Sequence, residues 1–153
     1  MRRTTLGDLA IPFVVFGITV YVLLKLSYGS IPPLQYVISL PIAGLAIIEL
    51  LVARRVRAAV RHDPRAKPME AIVIARWVAL GKASALVGAG IFGAAVALFI
   101  RVVPDASRVR AAGNDLRVSI FLAIAAGLLV AAGLLLERAG IDPGSGADRS
   151  RTP

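Results

Sequence analysis

The sequence predicts an all-α membrane protein, a bundle of four transmembrane helices with both termini in the cytosol. Three observations carry that expectation. The 153 residues are 58% apolar with a mean hydropathy of +0.78, too apolar for a disordered chain or an ordinary soluble domain. The excess lies in four blocks, Leu9 to Leu26, Leu34 to Ala53, Trp77 to Ile100 and Val118 to Leu136, each near the ~20 residues a helix needs to cross the hydrocarbon core. No block is broken by polar residues at every third or fourth position, as a water-facing helix would be. Only a helix satisfies every backbone group within one such span, and the two-residue alternation of a membrane barrel is missing.

Thr5 and Asp8 have the spacing of a capping box, which starts the first helix at about Leu6. Pro12 allows a local bend early in that helix, and Lys25 closes the span with a stem long enough to reach headgroups. Tyr28 to Pro33 form a short uncharged turn, and Pro32 or Pro33 suits the first position of the second helix. Within that helix Pro41 is expected to remove a backbone bond near the middle and kink the span. After Ala53 comes a basic loop, 54–70, with Arg54, Arg55, Arg57, Arg61, Arg65 and Lys67. Its first part continues the helix and stops near Asp63 and Pro64. Pro68 is placed to open the third helix, which meets no breaker until Pro104, a length of ~50 Å at 1.5 Å per residue. Asn114 suits the cap of the fourth helix and Gly140 its stop. Residues 1–140 form one membrane domain, and 141–153, rich in Gly, Ser, Asp, Arg and Pro, read as a disordered tail.

The net charge of +9 resembles a nucleic-acid signature, but the positions of the cations point to a membrane surface. Twelve of the eighteen fall at the two ends, in the middle loop and at Arg76, and five on the opposite side at Lys25, Arg101, Arg108, Arg110 and Arg117; Lys82 lies inside the third span. The positive-inside rule then places the termini and the arginine loop in the cytosol. Arg54, Arg55, Arg57 and Arg61 are expected at anionic headgroups, at about 1 kcal/mol per charge, or serve only to set topology. No nucleic-acid partner is expected. The first block is too long for a signal-peptide core and lacks a small-residue cleavage site, so it is expected to stay as a span.

Two features of the third span ask for a physical reason. Nine Leu, Ile, Val or Phe residues from Leu80 to Ile100 favour insertion by about 4 kcal/mol, and a mid-depth lysine would cancel most of that at ~2.5–3.5 kcal/mol. Lys82 therefore belongs near the boundary or in an ion pair, and Trp77 beside Arg76 fits the headgroup belt. Glu49 lies a turn inside the same end of the second span, so the two helices are expected to be neighbours with Glu49 paired to Lys82 or Arg76. The bland alternative has Lys82 reaching the interface and Glu49 pairing with Arg54 or a neighbouring arginine; a proton or ion relay through Glu49 is a third. The other feature is the ladder Gly81, Ala85, Ala89, Gly93, Ala97, widened by Ser84 and Gly88, with a shorter series Ala123, Gly127, Ala131 in the fourth span. Small residues at such spacing allow close backbone approach, within the bundle, in a homo-oligomer or against another membrane protein.

With no cysteine and one histidine, His62, neither a thiolate centre nor a histidine metal site or catalytic triad can be assembled, and no cofactor is expected. Glycines 88, 90 and 93 spell a GxGxxG, but inside a membrane helix and not at a strand-to-helix turn.

The stretch ARWVALGKASALVGAGIFG, preceded by a basic loop and Lys67-Pro68, the closing AGLLLERAGIDP and the opening RRTTLGDL resemble a family of small actinobacterial membrane proteins catalogued as domain of unknown function 3180. Arg76, Gly81, Lys82, Ser84, Gly88 and Glu137 stand where that pattern puts its polar and small residues. Its closing motif often carries a cysteine near the position of Gly140 here, so no thiol role transfers. The resemblance implies a four-span inner-membrane protein without an assigned activity, often encoded near folate-biosynthesis genes, and no folate chemistry follows from that. The functional expectation is a non-enzymatic scaffold or accessory subunit acting through helix packing and the basic loop. The alternative is a small transporter, or transport accessory, whose vestibule holds Glu49, Lys82 and Arg76.

Overall fold

The computed structural model describes residues 4–27, 35–61 and 69–140. Among these lie four long helices: α1 (Leu6–Ser27), α2 (Ser39–Val60), α3 (Ala71–Val102) and α4 (Arg110–Ala139). Each is long and apolar enough to cross a membrane. A 3-10 turn, Tyr36–Ile38, leads into α2, and another, Val103–Asp105, follows α3 at Pro104. Pro32, Pro33, His62, Asp63, Pro64, Arg65, Lys67, Pro68 and the tail 141–153 lie outside the described residues.

The capping box forms. The Thr5 N–H donates to Asp8 Oδ2 at 2.8 Å and the Asp8 N–H to Thr5 Oγ1 at 3.4 Å, meeting two of the donors that a helix start leaves open. Pro41 does not kink a span: the α-helix begins at Ser39, so the proline sits in its first turn, where no bond is lost. Asn114 is not a cap either. Helix α4 starts a turn earlier at Arg110, after the extended Val109. Gly140 ends α4, with an ordinary φ of −85° and not a left-handed one; it lies against Val78 of α3, where a side chain would not fit. At 32 residues, α3 is about 48 Å long by the helical rise.

The helices pack in the order α1, α3, α4, α2, so α3 and α4 are interior and α1 and α2 flank them. Near one end, Leu24 of α1 and Ala112 of α4 belong to one cluster with Leu98 and Val102 of α3. In the middle Ala46 of α2 packs on Leu129 and Ala132 of α4. At the other end Ala53 and Val56 of α2 pack on Leu136 and Ala139, flanked by Trp77 and Ile74 of α3. The expected adjacency of α2 and α3 is thus confined to a brief approach; the principal neighbour of α2 is α4.

All seven residues of the α3 packing face, Gly81, Ser84, Ala85, Gly88, Ala89, Gly93 and Ala97, are buried, but they do not form one face. Four residues turn a helix by 400°, so each step drifts 40°, and from Gly81 to Gly93 the ladder winds about 120° round the axis. Its first part meets α4 and its later part α1. A Cβ on Gly81 would lie 2.8 Å from the Gly133 carbonyl oxygen, and one on Gly88 3.0 Å from Val130 Cγ2. Gly90 faces the Phe16 ring, and a Cβ on Gly93 would collide with the Phe13 carbonyl. In α4 the residues that meet the ladder are Gly133 and, two turns earlier on the same face, Ala126, and not the series Ala123, Gly127, Ala131, whose last member is exposed.

Candidate functional site

Polar groups buried among apolar helices mark the places where chemistry is possible. Three carboxyl groups qualify: Asp115, near the start of α4, and Glu49 and Glu137, both in the half of the bundle that ends at Val60 of α2 and Ala139 of α4. Helices α2 and α4 run parallel, with Ala46 beside Leu129 and Ala132 and Ala53 beside Leu136 and Ala139. That register puts Glu49 at the level of Gly133. Helix α3 runs antiparallel to them and brings Gly81, Ser84 and Ala85 to the same level, because Gly133 abuts Gly81 and Ala85. Glu49 is completely buried there. The polar group that bears on it is the buried Ser84 hydroxyl of α3, which stops short of hydrogen-bond geometry, so neither carboxyl oxygen has a partner.

The expected ion pair between Glu49 and Lys82 or Arg76 is therefore not formed. Lys82 is two residues from Ser84, 200° around α3, and is half-buried on another side of the helix; Arg76 is exposed. The pairing with Arg54 is not formed either, since Arg54, Arg55, Arg57 and Arg61 all point outward from the last two turns of α2. An arginine five residues after Glu49 is turned 140° away from it. The four exposed guanidinium groups stand as a collar on that end of α2. Trp77 packs on the α2 and α4 cluster, with its ring partly buried beside exposed Arg76.

Glu137, a turn beyond Gly133 on α4, is the other buried carboxyl of this half. It accepts the Thr4 backbone N–H at 2.7 Å and so ties the segment before α1 to the end of α4. The Thr4 hydroxyl beside it is buried without a partner. The sequence reading placed Glu137 only as a position in a pattern. Its burial comes from a contact across 133 residues of chain, and no local spacing signals that.

A third feature is apolar. Between α1 and α4, over the back of α3, a groove of about 300 Å³ is lined by Leu9, Ala10, Phe13, Ala89, Phe92, Gly127 and Val130. Phe13 and Phe92 meet at its side, their rings tilted by 35° with centroids 5.8 Å apart. The groove exists because α1 and α4 both pack on α3 without packing on each other. Among the described residues no three His, Cys, Asp or Glu side chains gather to hold a metal.

This architecture defines a multi-pass helical membrane protein. The chain belongs to the family described as "Protein of unknown function (DUF3180)", which matches residues 9–143. No curated protein and no solved structure matches it.

Proposed function

We propose that the protein is a non-enzymatic accessory or scaffold subunit of the bacterial inner membrane, which holds a transmembrane helix of another membrane protein in the groove between α1 and α4. The groove carries this reading. Membrane helices associate through close packing over small residues, and the groove offers a floor of Ala89 and Gly127 between walls of Phe13, Phe92 and Val130. Apart from Ala89, which reaches the groove floor, the α3 ladder cannot serve, because the chain's own helices already occupy it. Helix α1, which forms one wall, has only 11% of its apolar window buried against 44% for α3, so most of its surface is free to extend such a contact. In this reading both termini and the arginine collar of α2 face the cytosol, where Arg54, Arg55, Arg57 and Arg61 hold anionic headgroups.

Gly127 supplies the test, since a Cβ there meets only Phe92, at an ordinary 3.9 Å. Gly127→Leu should fill the groove and leave the bundle folded. In affinity purification from native membranes in mild detergent, a membrane protein that co-purifies with the wild type should be lost with Gly127→Leu. Retention of the same partner by a folded Gly127→Leu protein would reject the groove as its seat, and recovery of lipid alone would reject the accessory role. The transport alternative, with Glu49, Lys82 and Arg76 lining a vestibule, receives less support, because Glu49 is sealed inside the bundle away from both cations.

A further inference from the structure

We infer that Glu49 is a proton-binding site: in the packed bundle it holds a proton as the neutral acid beside Ser84, and release of that proton loosens α2 from α4. The inference is independent of the groove. Glu49 is fully buried and neither of its oxygens has a hydrogen-bond donor. An ionised carboxylate needs several donors or a cation in such a place, and the neighbouring elements supply no cation and one hydroxyl, that of Ser84. From α3 the polar group at this level is Ser84; Lys82 is on another side of that helix and Arg76 is exposed. From α4 the nearest ionisable group along the helix is Glu137, another acid, already engaged by Thr4, and Arg138 is exposed. On α2 itself Arg54 and Arg55 point outward. The neutral acid asks for much less: its O–H needs one acceptor, and a hydroxyl such as that of Ser84 can both accept and donate.

The position of the site gives the proton a consequence. Helix α2 is held almost entirely by α4, through small contacts at Ala46 and Ala53 on either side of Glu49. A charge appearing between those contacts has to find water, and the direct way is for α2 to move off α4, carrying its arginine collar with it. The ligand of this site is a proton, and the element it governs is α2.

The chain has three glutamates, Glu49, Glu70 and Glu137, and no cysteine, which makes a clean experiment possible without altering Glu49. The full-length Glu70→Gln/Glu137→Gln protein is labelled with carboxyl-13C glutamate in lipid nanodiscs and followed by infrared spectroscopy across neutral and alkaline pH. At neutral pH the label should absorb as a protonated carboxylic acid, and raising the pH should abolish that band. An Ala53→Cys/Ala139→Cys pair on the wild-type background should cross-link α2 to α4, with a yield falling several-fold over the same pH range. A label that absorbs as carboxylate at neutral pH overturns the proposal, and one that does so and responds to added sodium points to a cation site instead. A band that disappears with no change in cross-linking overturns the coupling to α2. Glu49→Gln, isosteric with the neutral acid, should cross-link equally at every pH; a yield that still falls would sink the assignment.

Discussion

At the scale of single residues, the glycines of this chain are not interchangeable. Gly133 and Gly93 sit where a helix backbone touches a neighbour's carbonyl, that of Gly81 in one case and that of Phe13 in the other. A side chain at either position must push two helices apart, and overpacking of this kind costs about 1–3 kcal/mol or more. Gly133→Leu and Gly93→Leu should therefore lower the thermal midpoint of the detergent-solubilised protein strongly, whereas Gly127→Leu should leave it nearly unchanged. Comparing the three in one fluorescence-detected melting assay checks the register of the bundle residue by residue. Glu137 makes a different prediction. Its bond to the Thr4 N–H is buried and long-range, so Glu137→Ala leaves that donor unmet at about 1–3 kcal/mol. The half-exposed pair Arg101 and Asp105, 3.2 Å apart within one turn, should be worth about 1 kcal/mol or less.

At the scale of helices, the order α1, α3, α4, α2 predicts which elements resist separation. Because the chain contains no cysteine, paired cysteines report only the designed contact. Ala53→Cys with Ala139→Cys joins two members of one cluster and should cross-link efficiently in native membranes. Ile47→Cys with Leu80→Cys, two exposed positions on α2 and α3, should not. Efficient linkage in the second pair would contradict the packing order. Much of the element scale was legible beforehand. The capping box at Thr5 and Asp8, the four spans and the stop at Gly140 follow from local chemistry. Pro41 and Asn114 were misplaced because each can serve inside a helix or at its start, and the length of helix preceding each decides which. The four-residue ladder of α3 suggested one face, and the 3.6-residue turn makes it two.

For the whole molecule, the distribution of cations predicts a cytosolic arginine collar. Reporter fusions after Arg61 and at the C-terminus should both report a cytosolic location, and fusions near Arg108 a location outside. Replacing Arg54, Arg55, Arg57 and Arg61 by glutamine should reduce the anionic lipid that co-purifies in native nanodiscs, with each lost charge worth about 1 kcal/mol near a charged leaflet. An unchanged lipid profile would leave the collar as a topology signal alone. The groove between α1 and α4 belongs to this scale as well, since its lining comes from three helices and its existence depends on two of them failing to meet.

By itself the sequence determined the number of spans, their approximate ends and the small residues of α3 that must be buried. Hydropathy, helical period and charge are properties of one segment at a time, and a single segment is enough to read them. Which helix lies beside which was decided only by tertiary structure. Glu49 and Lys82 lie at similar depth on consecutive spans, and nothing local separates a pair from two strangers. The seam of Gly133 with Gly81 and Ala85 is what draws α4 onto α3, gives α2 a place against α4 and leaves Glu49 sealed with Ser84 and no cation. Close backbone approach is short-ranged and depends on both partners at once, so it selects among packings that hydropathy alone leaves equal.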